Sequence, residues 1–102
     1  MEVVSDVIDN TLYVNLSGEL DECSSNYFKQ KIDDCIIKNN YRKVIFDLLE
    51  LTFMDSTGIG VLIGRYKLLK KKSVPMFIVN PNKQVDKIFN ISGLYQIMPK
   101  LS

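Results

Sequence analysis

The fold is decided by ten residues in the middle of the chain, FMDSTGIGVL at residues 53–62. Two apolar residues lead into the polar sequence DSTG (residues 55–58), after which apolar residues recur at helical spacing to about Lys71. This change of pattern predicts that a helix starts at Ser56. The first backbone N–H groups of a helix have no partner and the helix dipole is positive there, so a phosphate group at Ser56 would be stabilised.

The same residues also have a purely structural interpretation. Asp55 or Ser56 is then only the N-terminal cap of the helix, and Gly58 and Gly60 ease its packing on the sheet. A glycine in a helix costs up to about 1 kcal/mol relative to alanine, so two of them in one turn need a reason. Because glycine has no Cβ atom, another backbone can approach such a turn closely. Residue types alone leave both interpretations open.

Strand patterns lie on both sides of this stretch. Residues 3–8 and 11–16 predict a hairpin with Asp9-Asn10 as its turn, since the second segment alternates between apolar and other residues. Two short apolar runs, residues 44–46 and 76–79, lack alternation and predict strands that are covered on both faces. Asp47 would stand at the carboxyl end of the first of these strands.

Two more helices are predicted by apolar residues at helical spacing and by their end signals. The earlier one is capped by Ser24 or Ser25 and runs to about Lys38. Asn39-Asn40 ends it, because asparagine tolerates the left-handed conformation that often follows a helix.

The later helix and the end of the chain complete the pattern. Asn80 is expected to cap this helix, Pro81 to open it and Ser92-Gly93 to close it, and residues 96–98 suggest a last short strand. The order is then β-β-α-β-α-β-α-β. Strands joined through helices pair in parallel by right-handed crossovers, and the hairpin adds an antiparallel pair. The predicted fold is a single small α/β domain over residues 1–102, with helices packed against a mixed four- to five-stranded sheet.

Length and charge limit the classes of function. A chain of 102 residues is the size of one domain. Its 13 Lys+Arg against 12 Asp+Glu give a net charge of +1, which argues against nucleic acid or an anionic membrane as the main partner. No apolar run reaches the roughly 18–20 residues that span a bilayer, and the first residues do not resemble a signal peptide. We therefore expect a cytoplasmic protein that is monomeric on its own.

The absence of histidine excludes most catalytic and metal sites. With no histidine, Ser-His and Cys-His catalysis and ordinary zinc sites cannot be built. Cys23 and Cys35 are twelve residues apart, or about 18 Å along a helix, which is too far for a disulfide. The chain has no phosphate-binding Gly-Lys-Ser/Thr loop, and its spacing of Gly58, Gly60 and Gly64 departs from a dinucleotide fingerprint. We expect no catalytic residues, no metal and no cofactor.

Four segments together resemble a known family. Residues 53–62 closely resemble the signature segment of the anti-sigma factor antagonists, the bacterial members of the STAS domain family. The segments SGELD (17–21), GRYK (64–67) and FNISGL (89–94) also match, in the right order. The last two are similar to the sporulation type, which frees the forespore sigma factor F. The similarity runs from about Leu12 to Ile97.

The resemblance implies a binding module that is controlled by phosphorylation. In the family, an anti-sigma factor that is also an ATP-using serine kinase phosphorylates the serine of this motif, here Ser56. The unphosphorylated antagonist binds the anti-sigma factor and releases the sigma factor, and a metal-dependent serine phosphatase removes the phosphate. Asp21 is expected beside Ser56, in contact with the anti-sigma factor. The full set of expected partner-binding residues is Asp21, Asp55, Ser56, Thr57, Gly58 and Gly60.

Elementary electrostatics agrees with this role. Phosphorylation adds about −1.5 to −2 charges, which a helix start tolerates, so the fold should survive. Beside Asp21 and Asp55, the same charges should cost several kcal/mol in an interface that fits a neutral hydroxyl. Thr57 carries a chemically similar hydroxyl.

Three alternatives remain open at this point. They are an antagonist of the general stress-response type with the same switch, a small nucleotide-binding protein that uses Gly58 and Gly60, and a STAS scaffold in a larger assembly. Family members usually continue into another helix beyond the point where this sequence stops, at Ser102.

Overall fold

One mixed sheet forms the centre of the computed structural model, which describes residues 1–101. Its strands, in spatial as well as chain order, are β1 (Glu2–Ile8), β2 (Thr11–Leu20), β3 (Lys43–Met54) and β4 (Met76–Val79). β1 pairs antiparallel with β2, whereas β2 with β3 and β3 with β4 pair in parallel. The predicted mixed sheet is confirmed, with four strands.

The helices are α1 (Ser25–Lys38), α2 (Ser56–Lys71) and α3 (Lys83–Ser92), followed by a 3₁₀ turn at Leu94–Gln96. Their apolar sides and every second residue of the central strands form one buried core on a single face of the sheet. For α1 and α2 that arrangement follows from the two right-handed crossovers, β2-α1-β3 and β3-α2-β4, which bring both helices to the same face. Within residues 1–101, none of the helices is both long and apolar enough to cross a membrane.

The hairpin that opens the chain forms as predicted. Asp9 and Asn10 have φ angles of 51° and 63°, so both turn residues are left-handed. A two-residue turn with both residues left-handed has the same twist as the strands that it joins. The paired residues on either side of this turn are Ile8 and Thr11.

β3 is much longer than predicted, and Asp47 therefore lies inside the strand instead of at its end. Its Oδ1 accepts hydrogen bonds from the Leu49 N–H and from Asn80 Nδ2. The pairing of β2 with β3 shifts register between Asn15 and Ser17 and again between Gly18 and Glu19. Each shift inserts an extra residue into β3 and breaks the alternation by which a sequence reveals a strand.

The prediction that both faces of the strand are covered is confirmed for residues 44–46, which are all buried, whereas Phe77 and Val79 of β4 are only half-buried. Ile45 points to the face opposite the helices, yet only 6% of it is exposed. Its neighbours in register are Tyr13 on β2 and Phe77 on β4. We attribute the burial of Ile45 to these two rings, which flank it on the open face.

Two helix ends differ from the prediction. Asn82, and not Asn80, caps α3, because its Oδ1 accepts the Val85 N–H at 2.8 Å. Asn80 is left-handed instead, with a φ of 57°. Asn39 does end α1, but in an extended conformation, and its Nδ2 donates to the Cys35 carbonyl.

The predicted last strand at residues 96–98 does not form. The chain makes the 3₁₀ turn there, and Met98 is buried in the core. The chain reaches the sheet only at Lys100, which bridges to Ile78, and the Ile78 N–H donates to the Pro99 carbonyl. The N–H groups of Gln96, Ile97 and Met98 bond to the carbonyls of Gly93 and Leu94 within the turn, so they cannot pair with a strand, and the segment after them covers the outer edge of β4.

The hairpin turn gives a test of this account. Asn10→Ala should lower the free energy of unfolding by about 1 kcal/mol, because a residue with a Cβ atom is strained in the left-handed region. Asn10→Gly should match or exceed the wild type. Urea unfolding of the three proteins measures this, and an alanine variant as stable as the glycine variant would contradict the turn geometry.

The Asp86 carboxylate ties the final segment to α3. Hydrogen bonds from Lys100 and from the Tyr95 hydroxyl hold the pKa of Asp86 below its usual value. A carboxylate with a lowered pKa contributes stability above its unfolded pKa, and that contribution is lost as the pH falls through the folded value.

Asp86→Asn should therefore be less stable than the wild type at pH 7, and the difference should shrink as the pH falls below about 4. Urea unfolding at a series of pH values measures it. A difference that stays constant down to low pH would show that the Asp86 charge contributes nothing.

Candidate functional site

Asp55 is the residue that caps α2. Its backbone is extended, and its Oδ1 accepts the Gly58 N–H at 3.0 Å. Of the two residues that the sequence offered as the N-terminal cap of this helix, Asp55 is the cap and Ser56 is not. Ser56 is the first residue of the helix and is exposed, as is Thr57. Because Asp55 provides the side-chain cap, α2 does not need the Ser56 hydroxyl for this purpose.

Asp55 also holds the loop that follows β2. Its second carboxylate oxygen, Oδ2, accepts the Glu22 N–H at 3.3 Å, and its own N–H donates to the Leu20 carbonyl at 3.3 Å. One residue therefore joins the end of β2, the following loop and the start of α2. Two chain segments that are more than thirty residues apart meet directly beside Ser56.

The loop between β2 and α1 is organised by Asp21 and Ser24. Asp21 Oδ1 accepts the N–H groups of Cys23 and Ser24, and the Asp21 N–H donates to Ser24 Oγ. Ser24 Oγ in turn donates to the Glu19 carbonyl at 2.6 Å. Ser24 thus immediately precedes α1, but its side chain stabilises the loop and not the helix end. Cys23, in the same loop, is an exposed free thiol.

The two glycines of the motif have different reasons to be glycine. A Cβ atom on Gly58 would lie 2.5 Å from the Leu20 carbonyl oxygen and 2.7 Å from Met54 Cγ. Glycine at position 58 is therefore required for α2 to approach the end of β2. A Cβ atom on Gly60 would meet nothing within 4 Å. Gly60 has no packing reason within residues 1–101, and it lies on open surface.

A shallow groove runs along this surface between α1 and α2. Its volume is about 290 Å³, and the residues that line it include Lys29, Thr57, Gly60 and Gly64. Arg65 also lines it but is only 6% exposed, and its Nε lies 2.9 Å from Asp33 Oδ1 on α1. This ion pair joins the two helices beneath the groove. Sequence reasoning missed it, although Arg65 stands three residues after Leu62 and four before Leu69, on the buried side of the helix.

A family model described as "STAS domain" matches residues 2–102 of this chain. The chain belongs to the STAS domain family. One relative, the "Anti-sigma F factor antagonist" of Paenibacillus polymyxa, is 40% identical over 88 residues, which are 86% of this chain and 75% of the relative.

Solved structures show the same fold. The anti-sigma factor antagonist SpoIIAA in its unphosphorylated form has a TM-score of 0.75 and 28% identity, covering 99% of this chain and 89% of that one. The Bacillus cell fate determinant SpoIIAA in the phosphorylated form has a TM-score of 0.68 and 27% identity, covering 99% and 92%. The predicted family and fold of this STAS domain are confirmed.

The structure brings most of the expected site residues of the STAS domain together at one end of the sheet. Asp55, Ser56 and Thr57 form the start of α2, and the loop that contains Asp21 is bonded to Asp55. Gly60 lies nearby on open surface, whereas Gly58 is buried. The role of each of these residues in partner binding stays a prediction.

The two glycines provide a matched pair of variants. Gly58→Ala should destabilise the STAS domain by about 1–3 kcal/mol, because its methyl group would overlap the Leu20 backbone. Gly60→Ala should be neutral or stabilising by up to about 1 kcal/mol, since alanine favours the helix and meets no neighbour. Thermal and urea unfolding measure both. Equal effects of the two substitutions would contradict the close approach at Gly58.

Proposed function

We propose that this STAS domain is an anti-sigma factor antagonist of the sporulation type, switched by phosphorylation of Ser56. Unphosphorylated, it binds an anti-sigma factor that is also a serine kinase and so releases the sigma factor. The observation that carries the proposal is the exposed Ser56 hydroxyl at the start of a helix that Asp55 already caps. The name of the Paenibacillus relative, an anti-sigma F factor antagonist, supports the sporulation type.

The start of α2 can accept a phosphate without loss of the fold. The Gly58 N–H is bonded to Asp55, and the Ile59 N–H donates to the Asp55 carbonyl, so the first turn is already held. A phosphate on Ser56 extends from an exposed position near the positive end of the helix dipole, where an anion is favoured. The phosphorylated and unphosphorylated SpoIIAA structures, both similar to this chain, support such tolerance.

The same phosphate can end partner binding by charge alone. Asp55 is its neighbour in sequence, and the loop bonded to Asp55 carries Asp21 and Glu22. A group of about −1.5 to −2 charges added to these carboxylates repels them and must lose its water in an interface. A penalty of about 4 kcal/mol lowers affinity roughly a thousandfold. No change of shape is needed.

The remaining predicted contact residues have distinct parts in the proposal. Asp21 and Thr57 contact the kinase directly. Because Gly60 has no Cβ atom, the backbone of the kinase can come close to α2 at this position. Gly58 acts indirectly, by setting the position of α2 against Leu20. The chain itself carries out no reaction in this proposal: the kinase adds the phosphate and a serine phosphatase removes it.

Phosphorylation of Ser56 is tested by intact-protein mass spectrometry after incubation with an anti-sigma F kinase and ATP. The wild type and Thr57→Ala should each gain one phosphate, and Ser56→Ala should gain none. Phosphate on Ser56→Ala at the wild-type level would overturn the assignment and make Thr57 the first suspect. A parallel incubation with a general stress-response kinase distinguishes the two antagonist types. If neither kinase modifies the wild type, the proposed function is wrong.

A further inference from the structure

A cavity of about 370 Å³, the edge cavity, lies between the end of α2, the start of β4 and the final segment of the chain. It forms because the chain after the 3₁₀ turn bonds to β4 at Ile78 and not at Met76. A regular continuation of this pairing would need the Pro99 N–H to donate to the Met76 carbonyl, and proline has no N–H. The first part of the outer edge of β4 is therefore left open.

The backbone of Met76 has no partner at this edge. In the parallel pairing of β3 with β4, the Val44 N–H donates to the Pro75 carbonyl, so the N–H and C=O groups of Met76 point away from β3. They point to the same side as those of Ile78, which bond to the final segment. Met76 lines the edge cavity, and none of the bonds made by the loops, turns and termini of residues 1–101 uses its N–H. A backbone donor without a partner has a free-energy cost that an acceptor on a ligand would remove.

The charge of the edge cavity is positive. Among residues 1–101, Lys70 is the one charged residue that lines it, and none of the lining residues is acidic. Lys70 takes part in neither of the two ion pairs of this part of the chain. Its Nζ lies 5.9 Å from the centre of the Tyr66 ring, which belongs to another lining residue. The ammonium group is therefore held at the cavity and is available to an anion.

The remaining walls of the edge cavity are mostly apolar. They are formed by Val74, Pro75, Phe77, Ile97 and Pro99. Apolar walls with a few polar groups, in a cavity of this size, are typical of sites that bind small molecules. An inorganic anion would leave the apolar walls unused, and a neutral apolar molecule would leave Lys70 unused.

We propose that the edge cavity binds a small organic acid, namely a carboxylate attached to an aromatic body. The Lys70 ammonium pairs with the carboxylate, and the Met76 N–H is the second donor at the cavity. The aromatic body packs between Phe77 and Ile97. An aromatic body is favoured over an aliphatic one because two rings, those of Tyr66 and Phe77, line the cavity and ring pairs are stabilised beyond the area that they bury.

The edge cavity is separate from the site around Ser56. Lys70 stands fourteen residues after Ser56 on the same helix, which is roughly 20 Å along the helix axis. None of the residues proposed to contact the kinase lines the edge cavity. A bound acid therefore leaves Ser56 exposed, and this inference does not depend on the proposed function.

Two-dimensional ¹⁵N NMR of the whole chain, titrated with 4-phenylbutyrate to about 10 mM, tests the proposal. The amide signals of Met76, Phe77 and Ile97 should shift and saturate, with a Kd of about 1 mM or below. The neutral analogue 4-phenylbutyramide has the same aromatic body and should bind at least tenfold more weakly. Acetate has the charge without the body and should give no saturable shift.

Two neighbouring lysines provide a matched pair of variants. Lys70→Gln should weaken the binding of 4-phenylbutyrate at least tenfold and leave the binding of 4-phenylbutyramide unchanged, because only the charge is removed. Lys71 is exposed and does not line the edge cavity, so Lys71→Gln should bind both compounds as the wild type does. Ile97→Ala should weaken the binding of both compounds, because it removes part of the apolar wall.

Each contrary result overturns the proposal. If the three amides show no saturable shift up to about 10 mM, the edge cavity does not bind such an acid. An amide analogue that binds as tightly as the acid, or a Lys70→Gln variant that binds like Lys71→Gln, shows that the charge is not recognised. Octanoate is the last comparison: if it binds more tightly than 4-phenylbutyrate, the preference for an aromatic body is wrong.

Discussion

The Asp55 carboxylate is the interaction on which the rest of the site depends. One oxygen caps α2 through Gly58, the other holds the loop after β2 through Glu22, and the backbone N–H bonds to Leu20. Gly58 permits this closeness, since a Cβ atom would overlap the Leu20 carbonyl. Because Asp55 makes these bonds, none of them would be lost if Ser56 were modified. In the proposed switch, stability and signalling are therefore separate: a phosphate on Ser56 would change the charge of a surface and leave the bonds beneath it intact.

The parts of the fold that follow from local chemistry could be predicted from sequence. The hairpin was predicted correctly from Asp9-Asn10 between two strand patterns. The end of α3 was predicted correctly from Ser92-Gly93. The errors arose where a distant contact decides the local structure. Residues 47–54 lack alternation because β3 carries extra residues opposite β2, a feature set by the pairing partner. The predicted last strand does not form because the N–H groups of residues 96–98 bond to carbonyls within the preceding turn.

The position of the candidate site could be predicted from the sequence. The physical role of several of its residues could not. The change of pattern at residues 53–62 placed Ser56 at a helix start, where the structure has it. The sequence could not assign Gly58 to internal packing and Gly60 to open surface, because that difference depends on the position of β2. Nor could it reveal the Arg65–Asp33 ion pair, which requires knowing that α1 and α2 lie side by side.

The central claim is that phosphate on Ser56 ends partner binding through charge and not through unfolding. The most direct measurement is calorimetric titration of the anti-sigma F kinase, held with ADP so that no transfer occurs, with unphosphorylated and fully phosphorylated protein. Circular dichroism is recorded on both forms. The account predicts roughly a thousandfold weaker binding after phosphorylation, with an unchanged spectrum. Equal affinity of the two forms, or lost binding together with a melted spectrum, would contradict it.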